Sequence, residues 1–275
     1  MTLLSVRDLS VTFPTPRGPV RVVDGVSFDL GRERLGLVGE SGSGKSMTGR
    51  AILRLIRPPG RVGGALTFEG QELTALSERR MRAVRGARIS MVMQDPRYSL
   101  NPVMTVGAQI AEGLRTHERM GRADTRRRVF EMLEAVRIDD PARVARLYPH
   151  EVSGGMGQRI MIAMMLIPKP ALLIADEPTS ALDGSVQGEV LRLMDDLVRA
   201  RGMGLILISH DLPLVARYCD RILVMHAGRV VETCAAAELD RATHPYTRGL
   251  LAAVPRMHET RATLPVLDRS GWGGT

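Results

Sequence analysis

LGLVGESGSGKS, residues 35–46, opens on the apolar run Leu35-Gly36-Leu37-Val38 and closes on Gly39-Glu40-Ser41-Gly42-Ser43-Gly44-Lys45-Ser46. The first part reads as a short buried strand. Met47, Ala51, Ile52 and Leu55 after it recur at helical spacing. Strand, glycine-rich loop and helix in that order form a phosphate cradle. The glycines let successive backbone N–H groups turn inward, and the helix points its positive end at the anion. Lys45 and Lys169 are the 2 lysines among 38 basic residues. A chain that uses arginine nearly everywhere keeps lysine here because a slim ammonium reaches terminal phosphates where a branched guanidinium would not fit. The Ser46 hydroxyl is placed for Mg²⁺.

Composition narrows the class. With 275 residues, 44% of them hydrophobic, the chain can build one large α/β domain with a smaller subdomain. Aromatics are 3%, too few for recognition of single-stranded nucleic acid by base stacking, so the core falls to Leu, Ile, Val, Ala and the 16 methionines. The net charge of +8 is compatible with nucleic acid or an anionic membrane surface, and equally with an arginine bias spread over solvated faces. No stretch approaches the ~18 apolar residues that a membrane span requires. The longest candidate, Ile160 to Ile167, stops at Pro168 and reads as a packed helix. No secretory signal is expected at Met1 to Asp8. Cys219 and Cys234 lack metal-ligand spacing, which fits buried thiols and a cytoplasmic setting.

Apolar runs that look like interior strands of a parallel sheet are each followed by polar chemistry. Leu35–Val38 leads into the loop above, Ile89–Met93 into Gln94, Ala171–Ala175 into Asp176-Glu177, and Leu205–Ile208 into Ser209-His210-Asp211. Ligands in open α/β sheets bind beyond the carboxyl ends of strands. Taken singly, Gln94 reads as a turn cap, Asp176 as a helix-start cap and His210 as a surface histidine. Taken with the loop, the roles interlock. Asp176 can hold Mg²⁺ through its water shell, Glu177 can orient or deprotonate the attacking water, Gln94 can touch metal or water, and His210 can bond the γ-phosphate.

Between Gln94 and Asp176 the texture turns helical. Val106, Ile110 and Leu114 recur every four residues. Val129, Met132, Leu133 and Val136 form a stripe after Asp124, an expected N-cap, and Ile160, Ala163, Met164 and Ile167 form another. The last stripe follows Val152-Ser153-Gly154-Gly155-Met156, a second anion-ready helix start. Two phosphate cradles in one chain suggest a site shared between two chains.

Together these residues closely resemble an ABC transporter ATPase subunit, from Leu4 to about Pro255. The resemblance makes Gly39 to Ser46 the Walker A loop, Gln94 the Q-loop, and Ser153-Gly154-Gly155 part of the signature motif. Leu172 to Glu177 becomes Walker B, Ser180-Ala181-Leu182-Asp183 the D-loop and His210 the switch histidine. Phe13 matches the aromatic that stacks on adenine. It implies an α/β P-loop nucleotide-binding domain over residues 1–255: a parallel sheet core, an N-terminal antiparallel β subdomain, and a helical subdomain inserted at about 95–168. A poorly ordered tail, 256–275, follows. Gln94–Pro102, Tyr148–Glu151 and His244–Leu251 are similar to the dipeptide, oligopeptide and nickel branch, with Asn101-Pro102-Val103 like the first ATPase of such pairs. The signature departs from the wider family in Met156 and Gly157, and Gly184 and Gly188 weaken the helix after the D-loop. The implied cofactors are ATP and Mg²⁺. The implied partners are transmembrane permease subunits, a second ATPase subunit and, indirectly, an extracellular substrate-binding protein, with no nucleic acid. The implied location is peripheral, on the cytoplasmic membrane face. The competing expectation is a non-transport ABC ATPase acting on nucleic acid or ribosomes.

Overall fold

The computed structural model describes residues 1–93, 99–180 and 182–254. The chain divides into two compact units, Met1–Ala75 with Ile206–Thr275, and Leu76–Leu205.

The first unit begins as an antiparallel sheet. β1 (Leu4–Thr15) pairs with β2 (Gly18–Leu30) on one side and β4 (Arg61–Phe68) on the other, and β5 (Gln71–Glu72) lies at the edge. Alternate residues of β1 point inward. Leu4, Val6, Leu9 and Val11 are fully buried, and Val6 lies opposite Phe28 in the β1–β2 register. A shift of register between Val6 and Leu9 accommodates Asp8, whose φ is 48°. The same unit holds β3 (Arg34–Val38), which runs parallel to β9 (Arg221–His226) with Leu37 opposite Leu223. β9 turns back antiparallel into β10 (Arg229–Ala235). β3 is buried on both faces, as its unbroken apolar run requires. Helix α1 (Lys45–Ile52) leaves the glycine-rich loop directly.

In the second unit β6 (Ile89–Val92) pairs in parallel with β7 (Leu172–Asp176), Ile89 opposite Leu172. Helix α2 (Glu78–Val84) precedes them. Between them lie α3 (Val106–Arg115), α4 (Arg122–Ala135), α5 (Pro141–Val144) and α6 (Gly154–Leu166), and α7 (Gly184–Ala200) follows β7. Helices therefore fill the stretch between β6 and β7 among the described residues. Val106, Ile110 and Leu114 are fully buried on α3, whose N-cap Thr105 accepts from the Ala108 N–H. Two readings need correction. Asp124 does not cap α4. Gly121 is the N-cap, and Asp124 sits in the first turn, where its carboxylate meets the positive helix end and Arg127. The buried face of α6 is also wider than the expected stripe, since Met161, Ile162 and Leu166 join it while Met164 is only half-buried.

β8 (Gly204–Ser209) carries the chain from the second unit back to the first. There α8 (Leu212–Tyr218) and α9 (Pro245–Ala253) complete the described residues. Val215 of α8 packs straight onto Gly36 of β3, leaving no room for a Cβ. The expected tail, 256–275, lies outside the described residues.

Candidate nucleotide site

β3 ends at Val38 and α1 starts at Lys45, so residues 39–44 form the loop between them. Gly39 has φ 151° and Gly44 has φ 99°. A Cβ at Gly39 would collide with the Met225 carbonyl, and one at Gly44 would lie 2.5 Å from the Val22 carbonyl. Side chains at either place would clash with neighbouring backbone and strain the loop. Gly44 is the N-cap of α1 and makes no side-chain cap, so the first N–H groups of the helix point into the loop. Lys45 is 4% exposed. Its Nζ donates to the Gly39 and Glu40 carbonyls, both at 2.8 Å, and to Ser43 Oγ at 3.4 Å. The loop therefore wraps the ammonium, and Ser46 follows it, half-buried, on the first turn of α1. These residues fit a bound nucleotide with Mg²⁺: an enclosed cation, a helix start with no side-chain cap and a hydroxyl on its first turn.

The adenine candidate, Phe13, sits on β1 opposite Val20, half-buried. Its ring lies over Gly60, where a Cβ would come within 2.6 Å of Phe13 Cε1. His210 stands exposed just past β8. Asp211 caps α8 by accepting from the Leu214 N–H at 2.9 Å, which fixes the turn that holds His210.

The acidic candidates belong to the second unit. Asp176 is the last residue of β7 and 5% exposed; it ends a strand and caps no helix. Glu177 follows with φ 46°, a left-handed conformation rare for glutamate. The Ser180 N–H and Oγ both donate to the Glu177 carbonyl, at 3.3 and 3.2 Å, and hold the chain in that turn. Ser153 is the N-cap of α6, its Oγ accepting from the Met156 N–H at 3.3 Å. Ser153 and Gly154 are exposed, so this second helix start is open. Gly155 is tight, since a Cβ there would be 2.9 Å from Val186 Cγ1. Gln94 and Ala181 lie outside the described residues.

Two residues with no role in the sequence reading emerge. Gln158 of α6 is 1% exposed, and its Nε2 donates to the Pro178 carbonyl. It ties the helix that begins at Ser153 to the segment that follows Glu177. The other, Tyr246, reaches the phosphate loop from α9.

A family model described as ABC transporter matches residues 23–180. Among curated proteins, the chain is 50% identical over 268 residues to a probable peptide ABC transporter ATP-binding protein of Sinorhizobium fredii, covering 96% of this chain and 80% of that one. It is 47% identical over 268 residues to the oligopeptide transport ATP-binding protein OppD of Escherichia coli, with the same coverage, 96% and 80%. Among solved structures, a dimeric ATP-binding cassette in a post-hydrolysis state with ADP and Pi matches with a TM-score of 0.76 at 24% identity, over 85% of this chain and 99% of that one, a likeness of fold. One from Clostridium perfringens, cbiO1, part of the ABC transporter complex cbiONQ, matches with a TM-score of 0.73 at 25% identity, over 87% and 91%.

Proposed function

The chain belongs to the ABC transporter ATP-binding family, and from that footing we propose that it is the ATP-hydrolysing subunit of an importer for peptides. The relatives named above carry peptide and oligopeptide in their names, so peptides lead over the nickel-type substrates of the same branch. One observation carries the nucleotide-binding reading: a buried lysine at the start of α1, enclosed by a loop whose Gly39 and Gly44 leave no room for a side chain.

The residue roles follow from the chemistry. Residues 39–46 bind the phosphates through backbone N–H groups and Lys45. Ser46, Asp176 and Gln94 would hold Mg²⁺, which would neutralise charge on the phosphate oxygens. Glu177 accepts a proton from the attacking water, His210 donates to the γ-phosphate, and Phe13 stacks on the base. Phosphoryl transfer asks little covalent chemistry of the protein, so positioning and charge dominate. Ser153, Gly154 and Gly155 meet the nucleotide of a second ATPase subunit. Their open helix start supports that role, because their own chain already has a phosphate loop.

Among the described residues no helix is long and apolar enough to cross a membrane. We therefore assign attachment to permease subunits, on the cytoplasmic face, with an extracellular substrate-binding protein acting through them. We propose the segment Gln94 to Asn101 as the dock; residues 94–98 of it lie outside the described residues. Within the second unit, a cavity of about 390 Å³ among α3, α4 and α5 is lined by Arg115, Arg122, Arg126 and Arg146 around Val129 and Phe130. That lining suits a permease segment carrying acidic and apolar side chains.

The test is ATP hydrolysis by the transporter reconstituted in vesicles. Binding protein loaded with peptide should raise the rate several-fold, and unloaded protein should not. A rate indifferent to the loaded binding protein would remove the peptide-importer reading while leaving the ATPase intact.

A further inference from the structure

Tyr246 is 0% exposed, and its hydroxyl accepts from the Glu40 backbone N–H at 2.9 Å. Glu40 is the second residue of the phosphate loop. Its carbonyl points the other way, accepting from Lys45 Nζ at 2.8 Å and from the Ser43 N–H at 3.2 Å. One loop residue is thus held from inside by the lysine and from outside by a tyrosine 206 positions away in the chain.

The tyrosine is itself fixed. Its ring rests on His226, centroids 4.3 Å apart at 41°. His226 ends β9, and in the turn after it the Gly228 N–H donates to the Ser43 carbonyl at 3.1 Å. Pro245 occupies the first turn of α9, and His244 Nδ1 accepts from the Tyr246 N–H at 3.2 Å. Glu232 of β10 accepts from the Thr243 N–H at 2.7 Å and the His244 N–H at 3.2 Å, clamping the approach to the helix. Burial alone would raise the Glu232 pKa. The hydrogen bonds it accepts outweigh burial and hold it below the usual carboxylate range, so the clamp is ionised at neutral pH.

We propose that Tyr246 is a positioning residue for nucleotide binding: its hydroxyl fixes the Glu40 peptide, and with it the direction in which the loop's N–H groups face before the phosphates arrive. A loop already set in its binding geometry loses less entropy when the ligand orders it. This rests on the reading of residues 39–46 as the nucleotide loop. The ring fills space and the hydroxyl holds the loop, so Tyr246→Phe separates the two roles.

The experiment titrates the full-length chain with a fluorescent ATP analogue and Mg²⁺, comparing wild type, Tyr246→Phe and Lys45→Ala. Losing one hydrogen bond should weaken binding by roughly three- to tenfold in Tyr246→Phe. In the assembled transporter it should raise KM for ATP with kcat within about twofold, the mark of lost ground-state binding. A purely structural role would lower the thermal midpoint and leave KM alone. Unchanged affinity and KM in Tyr246→Phe overturn the proposal. If wild type fails to bind the analogue, or Lys45→Ala binds as tightly as wild type, the nucleotide-loop reading falls, and the proposal with it. Amide exchange at Glu40 in the wild-type chain gives a readout independent of any variant. Slow exchange supports the bond, and exchange as fast as a free loop amide overturns it.

Discussion

Lys45 and Glu177 show what single residues reveal and conceal. The lysine stands out in the sequence because arginine fills nearly every other basic position, and its ammonium lies against the carbonyls of its own loop. The Glu177 side chain was equally legible, as an acid after a buried strand. Its backbone was not. Holding a glutamate at φ 46° costs about 1–2 kcal/mol. That strain depends on how Ser180 folds back onto the Glu177 carbonyl, which no local pattern announces. Such strain is commonly retained where a side chain must be aimed. Gln158 and Tyr246 escaped the sequence reading for a related reason. Each acts on backbone far away in the chain, at Pro178 and Glu40, and a polar residue on a helix carries no mark of a distant partner.

At the scale of elements, apolar periodicity placed the strands and helices well and their ends less well. The spacing of Met47, Ala51, Ile52 and Leu55 extends α1 to Leu55, yet the helix stops at Ile52. The stop is a pair of hydrogen bonds, Arg54 N–H to the Ala51 carbonyl at 2.9 Å and Leu55 N–H to the Arg50 carbonyl at 2.8 Å, with Arg54 at φ 52°. Glycine usually marks that left-handed position; an arginine there gives no signal. The glycines of α7 invite a measurement. A Cβ at Gly184 or Gly188 would meet nothing within 4 Å, and neither has a positive φ. Gly188→Ala should therefore raise stability by about 0.5–1 kcal/mol, seen as a higher thermal midpoint of the purified chain. An unchanged or lower midpoint would mean that α7 needs its flexible start. The start of α6 carries a different prediction. Ser153 is exposed and serves only as a local cap in its own chain, so Ser153→Arg should leave the chain's own affinity for ATP within about twofold. It should abolish ATP-dependent crosslinking to the second ATPase subunit, because bulk then stands where a phosphate must approach. Undiminished crosslinking would count against a shared site.

For the whole molecule, charge decides less than it first suggests. Many arginines pair with acids on the surface, among them Arg7 with Asp29, Arg127 with Asp124 and Arg137 with Asp196. Exposed pairs of this kind add little stability. The family and the fold are readable from motif order, and the residues proposed for the site come from the same motifs, while the substrate is not readable, because nothing in an ATPase domain needs to touch the transported molecule. In the proposed mechanism the chain hydrolyses ATP through Glu177 to drive an importer. The most direct measurement is steady-state hydrolysis by the assembled transporter with wild-type or Glu177→Gln chain, alongside nucleotide affinity for both. Glutamine keeps the shape and removes the base. Turnover should fall by about 100-fold or more while ATP binding persists. Near-normal turnover by the Glu177→Gln transporter would contradict the account.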